Sequence, residues 1–321
     1  MAEVEFGLAL RNFAPHPETP DIRDIVSYAR RAEQLGFSSL WAWDHILLGR
    51  RRPFPFLESL SVLSALAVTT ERLRLGTGVL VLPLRNPVVL AKVTATIDRM
   101  SGGRLVLGVA SGWYEREFES VGVPFSDRGR VFVRNVEILK RFWSEERVDG
   151  SEDGMVFRGA VMLPRPAQEP RPPLLYGGYV DKVLRRVATA SDGWLTYFYT
   201  PESFAAAWEK ILRYAEEAGR DPSSLDNVAQ LPICVDDSYE KATERVNTFI
   251  ERYFDVAPWS ESTADSAIRG TPEQCAEQIA RHLDVGARHL VFVPCSYAPE
   301  QLDAIAETIL PRFVGAGEEP R

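Results

Sequence analysis

The sequence predicts an α/β fold, a closed (β/α)8 TIM barrel. Three observations point to it. Strand-like and helical stretches alternate at intervals of roughly 30 residues, the spacing of a parallel sheet with crossover helices. Strand candidates such as Leu73 to Leu82 are apolar on both faces, which suits a sheet covered by helices on both sides. No G-x-G-x-x-G turn follows the first strand, where an open doubly wound sheet would carry its pyrophosphate loop.

Taken in order, Val4 to Leu10 is the first strand, followed by a polar turn over Arg11 to Pro20. Asp21 to Leu35 carries Ile22, Ile25, Val26, Ala29, Ala32 and Leu35 at helical spacing, and Gly36 ends that helix. Ser38 to Trp43 is the second strand and runs into Asp44-His45; Leu57 to Thr69 is a helix. Leu73 to Leu82 is the third strand. Pro87 opens a helix with Val88, Leu90, Ala91, Val93, Ala95 and Ile97 directed inward, and Gly102-Gly103 stops it. Leu105 to Ala110 is the fourth strand, and Ser111-Gly112-Trp113 begins a loop.

After the helix Arg130 to Trp143, a polar, proline-rich insertion over 144–173 holds a hairpin around Met155 to Leu163. Leu174 to Tyr176 is the fifth strand, ending at Gly177-Gly178, and Asp181 to Ala190 is its helix. Asp192 to Tyr197, Ala229 to Val235 and Ala287 to Val293 complete the eight. Helices at Glu202 to Ala218, Tyr239 to Phe254, Thr271 to Leu283 and Pro299 to Phe313 accompany them. We expect one barrel domain over 1–321, with insertions at about 144–173 and 255–270, whose loops the pattern leaves unplaced.

Composition narrows the function. The chain has 321 residues, 26% charged and 45% hydrophobic, the make-up of an ordinary globular protein. A net charge of -8, with no basic run beyond Arg50-Arg51-Arg52, argues against nucleic acid as partner. No apolar stretch approaches a bilayer span, and no signal-peptide pattern opens the chain. Cys234, Cys275 and Cys295 are scattered without metal-ligand spacing. We therefore expect a cytoplasmic protein without metal, acting on a small molecule.

In a barrel of this kind, chemistry sits on the loops beyond the strands' carboxyl ends. Asn12, Asp44-His45, Arg85-Asn86, Ser111-Gly112-Trp113 and Gly177-Gly178-Tyr179 all fall there. Of the four histidines, only His45 stands at such an end beside a carboxylate, where an imidazole can transfer protons near neutrality. A structural cap is the competing reading. Gly177-Gly178, before a helix, offers bare amides to a phosphate, or simply a tight turn. Gly76-Thr77-Gly78 suggests a strand deformed against a flat ligand, or small residues that let a helix pack.

Together these segments resemble the luciferase-like monooxygenase family. The resemblance rests on SLWAWDHIL, on LRLGTGVLVLPLRNPVVLAKVTATIDRMSGGRLVLGVASGWYEREFESVGV, on LLYGGYVDKVLRRVATASDGW and on GTPEQCAEQIARHLDVGARHLVF. It implies a reduced deazaflavin, coenzyme F420, or alternatively FMN, at the carboxyl-end mouth. It further implies a non-proline cis peptide at Gly78-Val79 backing the ring, with Asp44, Thr77, Gly78, Val79, Ala110, Ser111 and Gly112 around the cofactor. Gly177, Gly178 and Tyr179 would receive its phosphate.

Asp44 and His45 match a pair common in F420-using members, so hydride transfer is expected, with oxygenation if FMN is bound. Asn12, Trp43, Trp113 and Tyr197 are expected to line an apolar, aromatic substrate pocket, and about half of the rings Trp41, Trp43, Trp113, Trp194 and Tyr197 to be packing. The sugar-phosphate dehydrogenases of the family carry a tryptophan after Asp-His and a glutamate after strand four. Here those places fall in Leu47 to Gly49 and at Trp113, so the acidic partner and the indole are expected to be absent. The resemblance also implies a homodimer, and leaves open a non-catalytic member without cofactor.

Overall fold

The computed structural model describes residues 4–49, 53–253 and 257–313, with side chains at 257–260 excepted. The basic triplet Arg50 to Arg52 lies outside the described residues.

The barrel strands are β1 (Glu5–Ala9), β2 (Ser39–Ala42), β3 (Arg74–Val81) and β4 (Leu105–Ala110). After the hairpin β5 (Val148–Glu152) and β6 (Met155–Ala160) come β7 (Leu174–Gly177), β8 (Gly193–Tyr197) and β9 (Asp226–Val235). A short β10 (Ile268–Gly270) precedes β11 (His289–Pro294). The order β9-β11-β1-β2-β3-β4-β7-β8 is parallel throughout, and β8 pairs with β9 to close the ring. Eight strands thus form the barrel, with β10 added outside it along β9. The hairpin is antiparallel and turns at Asp153 and Gly154, both at positive φ, as a two-residue turn requires.

The helices are α1 (Ile22–Gln34), α2 (Ser59–Ala67), α3 (Pro87–Met100), α4 (Glu115–Ser120), α5 (Arg128–Ser144) and α6 (Asp181–Ala190). They continue with α7 (Pro201–Glu217), α8 (Tyr239–Tyr253), α9 (Ala257–Ser266), α10 (Pro272–Asp284) and α11 (Pro299–Thr308). Their starts are chemically marked. Asn86 accepts from the Val88 and Val89 amides ahead of Pro87, and Thr271 with Gln274 forms a reciprocal capping box.

Strand alternation divides the core in two. Leu8, Leu40, Leu75 and Leu107 point outward beneath the helices, whereas Ala9, Trp41, Val106, Leu195, Val228 and Val291 fill the barrel. This is why the strands read apolar on both faces. Three details differ from the sequence reading. The unplaced stretch 255–270 holds α9 and β10; the loop after Trp113 contains α4; and Val93, expected inward, stands outside with Val89 and Met100. Register explains the last: Leu90, Ala91, Thr94, Ala95 and Ile97 complete the buried face of α3.

Candidate active site at the barrel mouth

β3 carries the predicted deformation. The Gly78-Val79 peptide is cis, and pairing with β4 jumps between Thr77 and Leu80. Glycine is required on both sides of Thr77 by close approach. A Cβ on Gly76 would lie 2.3 Å from the Trp41 ring, and one on Gly78 2.6 Å from Gln230 Nε2. Thr77 itself is fully buried, its hydroxyl donating to the Gly108 carbonyl at 2.8 Å. Val79 stays partly exposed, and its amide bonds the Tyr197 hydroxyl. Burial pushes that phenol well above its usual value, so it remains protonated.

β2 delivers Asp44 and His45 side by side into different surroundings. Asp44 is buried, and both of its oxygens are committed. Oδ1 accepts from Ser59 Oγ (2.9 Å) and Arg85 Nη2 (2.7 Å), Oδ2 from the Val81 amide (2.9 Å) and Arg85 Nη1 (2.8 Å). Burial alone would lower the Arg85 guanidinium, yet Asp44, with help from Glu58, raises it. Asp44 therefore rivets the end of β2 to the end of β3. It has no oxygen left for proton transfer.

His45 remains partly open. Its Nδ1 lies 2.9 Å from Glu117 Oε2, and Glu117 Oε1 accepts from the amides of Ile46 (2.6 Å) and Leu47 (3.0 Å). Three N–H groups converge on a buried carboxylate, which can only accept; Nδ1 therefore bears the hydrogen. Among the described residues no partner is found for Nε2. The ring is held edge-on by Phe56 and Trp113, at centroid distances of 5.5 and 5.9 Å.

Glu117 was not singled out from sequence, because it lies on α4, a helix too short for a periodic signal. Three acids, Glu115, Glu117 and Glu119, follow Ser111-Gly112-Trp113, and nothing local marks which of them turns toward His45. Glu117 also corrects an expectation. An acid and an indole do stand beside His45, Glu117 at Nδ1 and Trp113 at the ring's edge, where the sequence led to an expectation of neither.

Asn12 is fully buried. Its amide donates to the carbonyls of Trp43 (2.7 Å) and Leu57 (3.1 Å) and accepts from the Trp43 amide (2.9 Å), so it shapes the loop after β2 and presents nothing to the mouth. Trp43 and Tyr197 meet at 5.8 Å and both keep some exposure, as do Ala110, Ser111 and Gly112. Trp113 is 41% exposed, which leaves its ring available at the rim. Trp41 and Trp194 are fully buried packing.

Gly177 has no room for a Cβ, which would fall 2.8 Å from Val79. Gly178 sits at φ +137°, and no side chain caps the N-terminus of α6 that follows. Tyr179 is 72% exposed beside it. A flat ring with a phosphate arm fits these features: among the described residues two buried polar atoms at the mouth, Trp43 Nε1 and Gln230 Oε1, have no protein partner, and the α6 N-terminus has no side-chain cap. No group of three His, Cys, Asp or Glu suited to a metal occurs among the described residues. Nor is any helix there long and apolar enough to cross a membrane. The thiols are not nucleophiles: burial raises Cys234 to about 11, Cys275 to about 12, and Cys295 further.

Comparison with known proteins agrees with the barrel fold. The family described as luciferase-like monooxygenase matches residues 4–289. An F420-dependent glucose-6-phosphate dehydrogenase of Amycolatopsis mediterranei is 27% identical, over 99% of this chain and 100% of its own. Among solved structures, an F420-dependent secondary alcohol dehydrogenase in complex with an F420-acetone adduct superposes with a TM-score of 0.82 at 21% identity, covering 96% of this chain and 98% of that one. The FMN-bound oxygenating constituent of 3,6-diketocamphane monooxygenase from Pseudomonas putida gives 0.79 at 17%, with coverage of 97% and 99%.

Proposed function

The chain belongs to the luciferase-like monooxygenase family, and from that premise we propose that it is an oxidoreductase using coenzyme F420 to transfer hydride to or from a small organic substrate. The observation that carries this reading is His45, clamped by Glu117 through Nδ1 beside the kinked β3, with its second ring nitrogen uncommitted. F420-dependent relatives at 27% identity over nearly full length support the same choice. The substrate is small and meets an aromatic rim of Trp43, Trp113 and Tyr197.

When bound, the deazaflavin supplies the hydride chemistry. This chain would hold it with the β3 kink behind the ring, with Ala110, Ser111 and Gly112 alongside, and with Gly177, Gly178 and the exposed Tyr179 at its phosphate. Asp44 fixes the β2 and β3 ends relative to each other. Glu117 sets the His45 tautomer, so that Nε2 can accept a proton from an alcohol or, once protonated, return it to a carbonyl. Phe56 and Trp113 keep the ring upright and limit water around it.

A second reading, oxygenation with FMN, draws on the FMN-bound monooxygenase that shares the fold. Parallel fluorescence titrations with F420 and FMN separate the two. Binding of F420 at micromolar concentration with FMN much weaker is the expected result; stoichiometric FMN and no F420 affinity would replace the first reading with the second. Failure to bind either cofactor would favour a non-catalytic role. We also propose a homodimer, for which the exposed Val89, Val93 and Met100 along α3 supply an apolar contact face; sedimentation velocity at the monomer's 36.0 kDa would refute it.

A further inference from the structure

A cleft lined largely by charged side chains lies away from the mouth. It measures about 780 Å3 and runs between α5 and α6 beneath the tip of the β5–β6 hairpin. Five cations line it, Arg130, Arg134, Arg141, Lys182 and Arg186, against three carboxylates, Glu137, Glu152 and Asp153. In a chain of net charge -8 this is a local reversal of sign.

The pairing inside the cleft sharpens the point. Arg130 and Arg134 share the carboxylate of Asp153, Arg130 also reaches Asp127 at 3.1 Å, and Arg141 turns to Glu145 at 3.0 Å. Lys140, outside the lining, takes Glu137 at 3.5 Å. Among the described residues no carboxylate pairs with Lys182 or Arg186. These two stand one turn apart on α6, Lys182 exposed and Arg186 half-buried, so both face the same groove.

Position gives the cleft its meaning. Lys182 is the second residue of α6, the helix whose uncapped N-terminus follows Gly177-Gly178. A ligand whose phosphate rests at that N-terminus has the cleft as the continuation of its path. From Gly129 to Arg141, α5 runs about 18 Å along it, far longer than one phosphate, so an extended polyanion fits and a lone ion does not. F420 carries such an extension: a lactyl group and a chain of glutamates beyond its phosphodiester. FMN ends at its phosphate.

We propose that the α5–α6 cleft binds the glutamate chain of F420, with Lys182 and Arg186 as its principal contacts; this rests on the F420 reading above. The cleft then favours the deazaflavin over FMN by gripping a part that FMN lacks. Arg130 and Arg134, paired with Asp153 and Asp127, tie the hairpin tip beside the cleft.

The test is binding, not turnover. Dissociation constants are measured by fluorescence at low salt for F420 bearing several glutamates, for the form bearing lactate alone, and for FMN, with wild type and with the double variant Lys182→Gln, Arg186→Gln. The glutamate-bearing form should bind wild type about tenfold more tightly than the lactyl form. That advantage should vanish in the double variant and in 0.5 M salt, where exposed charges are screened, while lactyl-form binding stays within about twofold. Lys182→Arg with Arg186→Lys should restore most of it. Equal affinity of the two deazaflavin forms for wild type, or an advantage that survives in the double variant, overturns the cleft assignment and leaves the cofactor reading standing. If no deazaflavin form binds, both fall.

Discussion

The two ends of this barrel carry nearly the same residue types and put them to opposite uses. At the closed end, His289 Nε2 lies 2.7 Å from Ser39 Oγ, which also accepts from Trp41 Nε1 at 2.9 Å, while Glu5 stands 3.6 Å from Nδ1. At the mouth, His45 has Glu117 on Nδ1, Trp113 at its edge and, among the described residues, no partner on Nε2. The side chain of His289 is 4% exposed and that of His45 14%. Burial, with Arg74 nearby, lowers His289 to about 3, so it is a neutral structural plug under the Trp41 indole. What sets His45 apart is one nitrogen held firmly and the other without a partner among the described residues, the arrangement its proposed role needs. A histidine with a wedged indole and no opening only stabilises.

Exchanging the ends by mutation is the strongest way to break this contrast. His45→Ala should reduce turnover by about 10²- to 10⁴-fold, the range for a general acid or base, with cofactor affinity nearly unchanged. His289→Gln should leave turnover per folded molecule within about twofold. Steady-state rates beside cofactor titrations read both; an active His45→Ala enzyme would remove the catalytic assignment.

Asp44 comes next, and its effect is on stability. Asp44→Asn leaves the buried Arg85 guanidinium with only the more exposed Glu58 as counter-charge, and removing one partner of such a buried pair costs about 3 kcal/mol. Urea unfolding measures this. A loss under about 1 kcal/mol would mean that Asp44 does not rivet the two strands.

A smaller effect is expected from Glu117→Gln. Losing one charge-assisted bond to Nδ1 should slow turnover about tenfold, in kcat with KM nearly unchanged. A purely structural glutamate would lower stability while leaving kcat per folded molecule intact, and such a result would sink the positioning role.

The mildest test is pH. His289 is lowered to about 3 and His282, also by burial, to about 4, from an ordinary 6.5. Between those values the unfolded chain takes up protons that the native state refuses. Stability therefore declines as pH falls from about 6.5 towards 4. Thermal midpoints at pH 7 and 5 should differ in that sense, and His289→Gln should reduce the slope.

Much of the architecture was legible because it is written in local periodicity. Leu105 to Ala110 and Asp181 to Ala190 coincide with β4 and α6, since an uninterrupted apolar run and a helical stripe each leave a signal within a few residues. The kink at Gly76 to Gly78 was readable for the same reason, as glycine in a strand advertises close approach. Glu117 was not readable. Its meaning depends on meeting His45 across 72 positions of chain, and α4 is too short to show a pattern. Asn12 and Asp44 were legible as mouth residues but not as ones whose polar atoms are all spent on neighbouring backbone or on Arg85.

By itself, then, the chain determined the alternation of strand and helix, the end of the barrel that bears polar loops, and the pair Asp44-His45 at that end. Those follow from side-chain spacing and from which residues tolerate a turn. Only the closed tertiary structure decided which of two neighbouring polar residues would be sealed in an ion pair and which would keep a free nitrogen, and that Lys182 and Arg186 face a shared cleft. Burial and partner geometry are set between elements distant in sequence, and no local pattern encodes them.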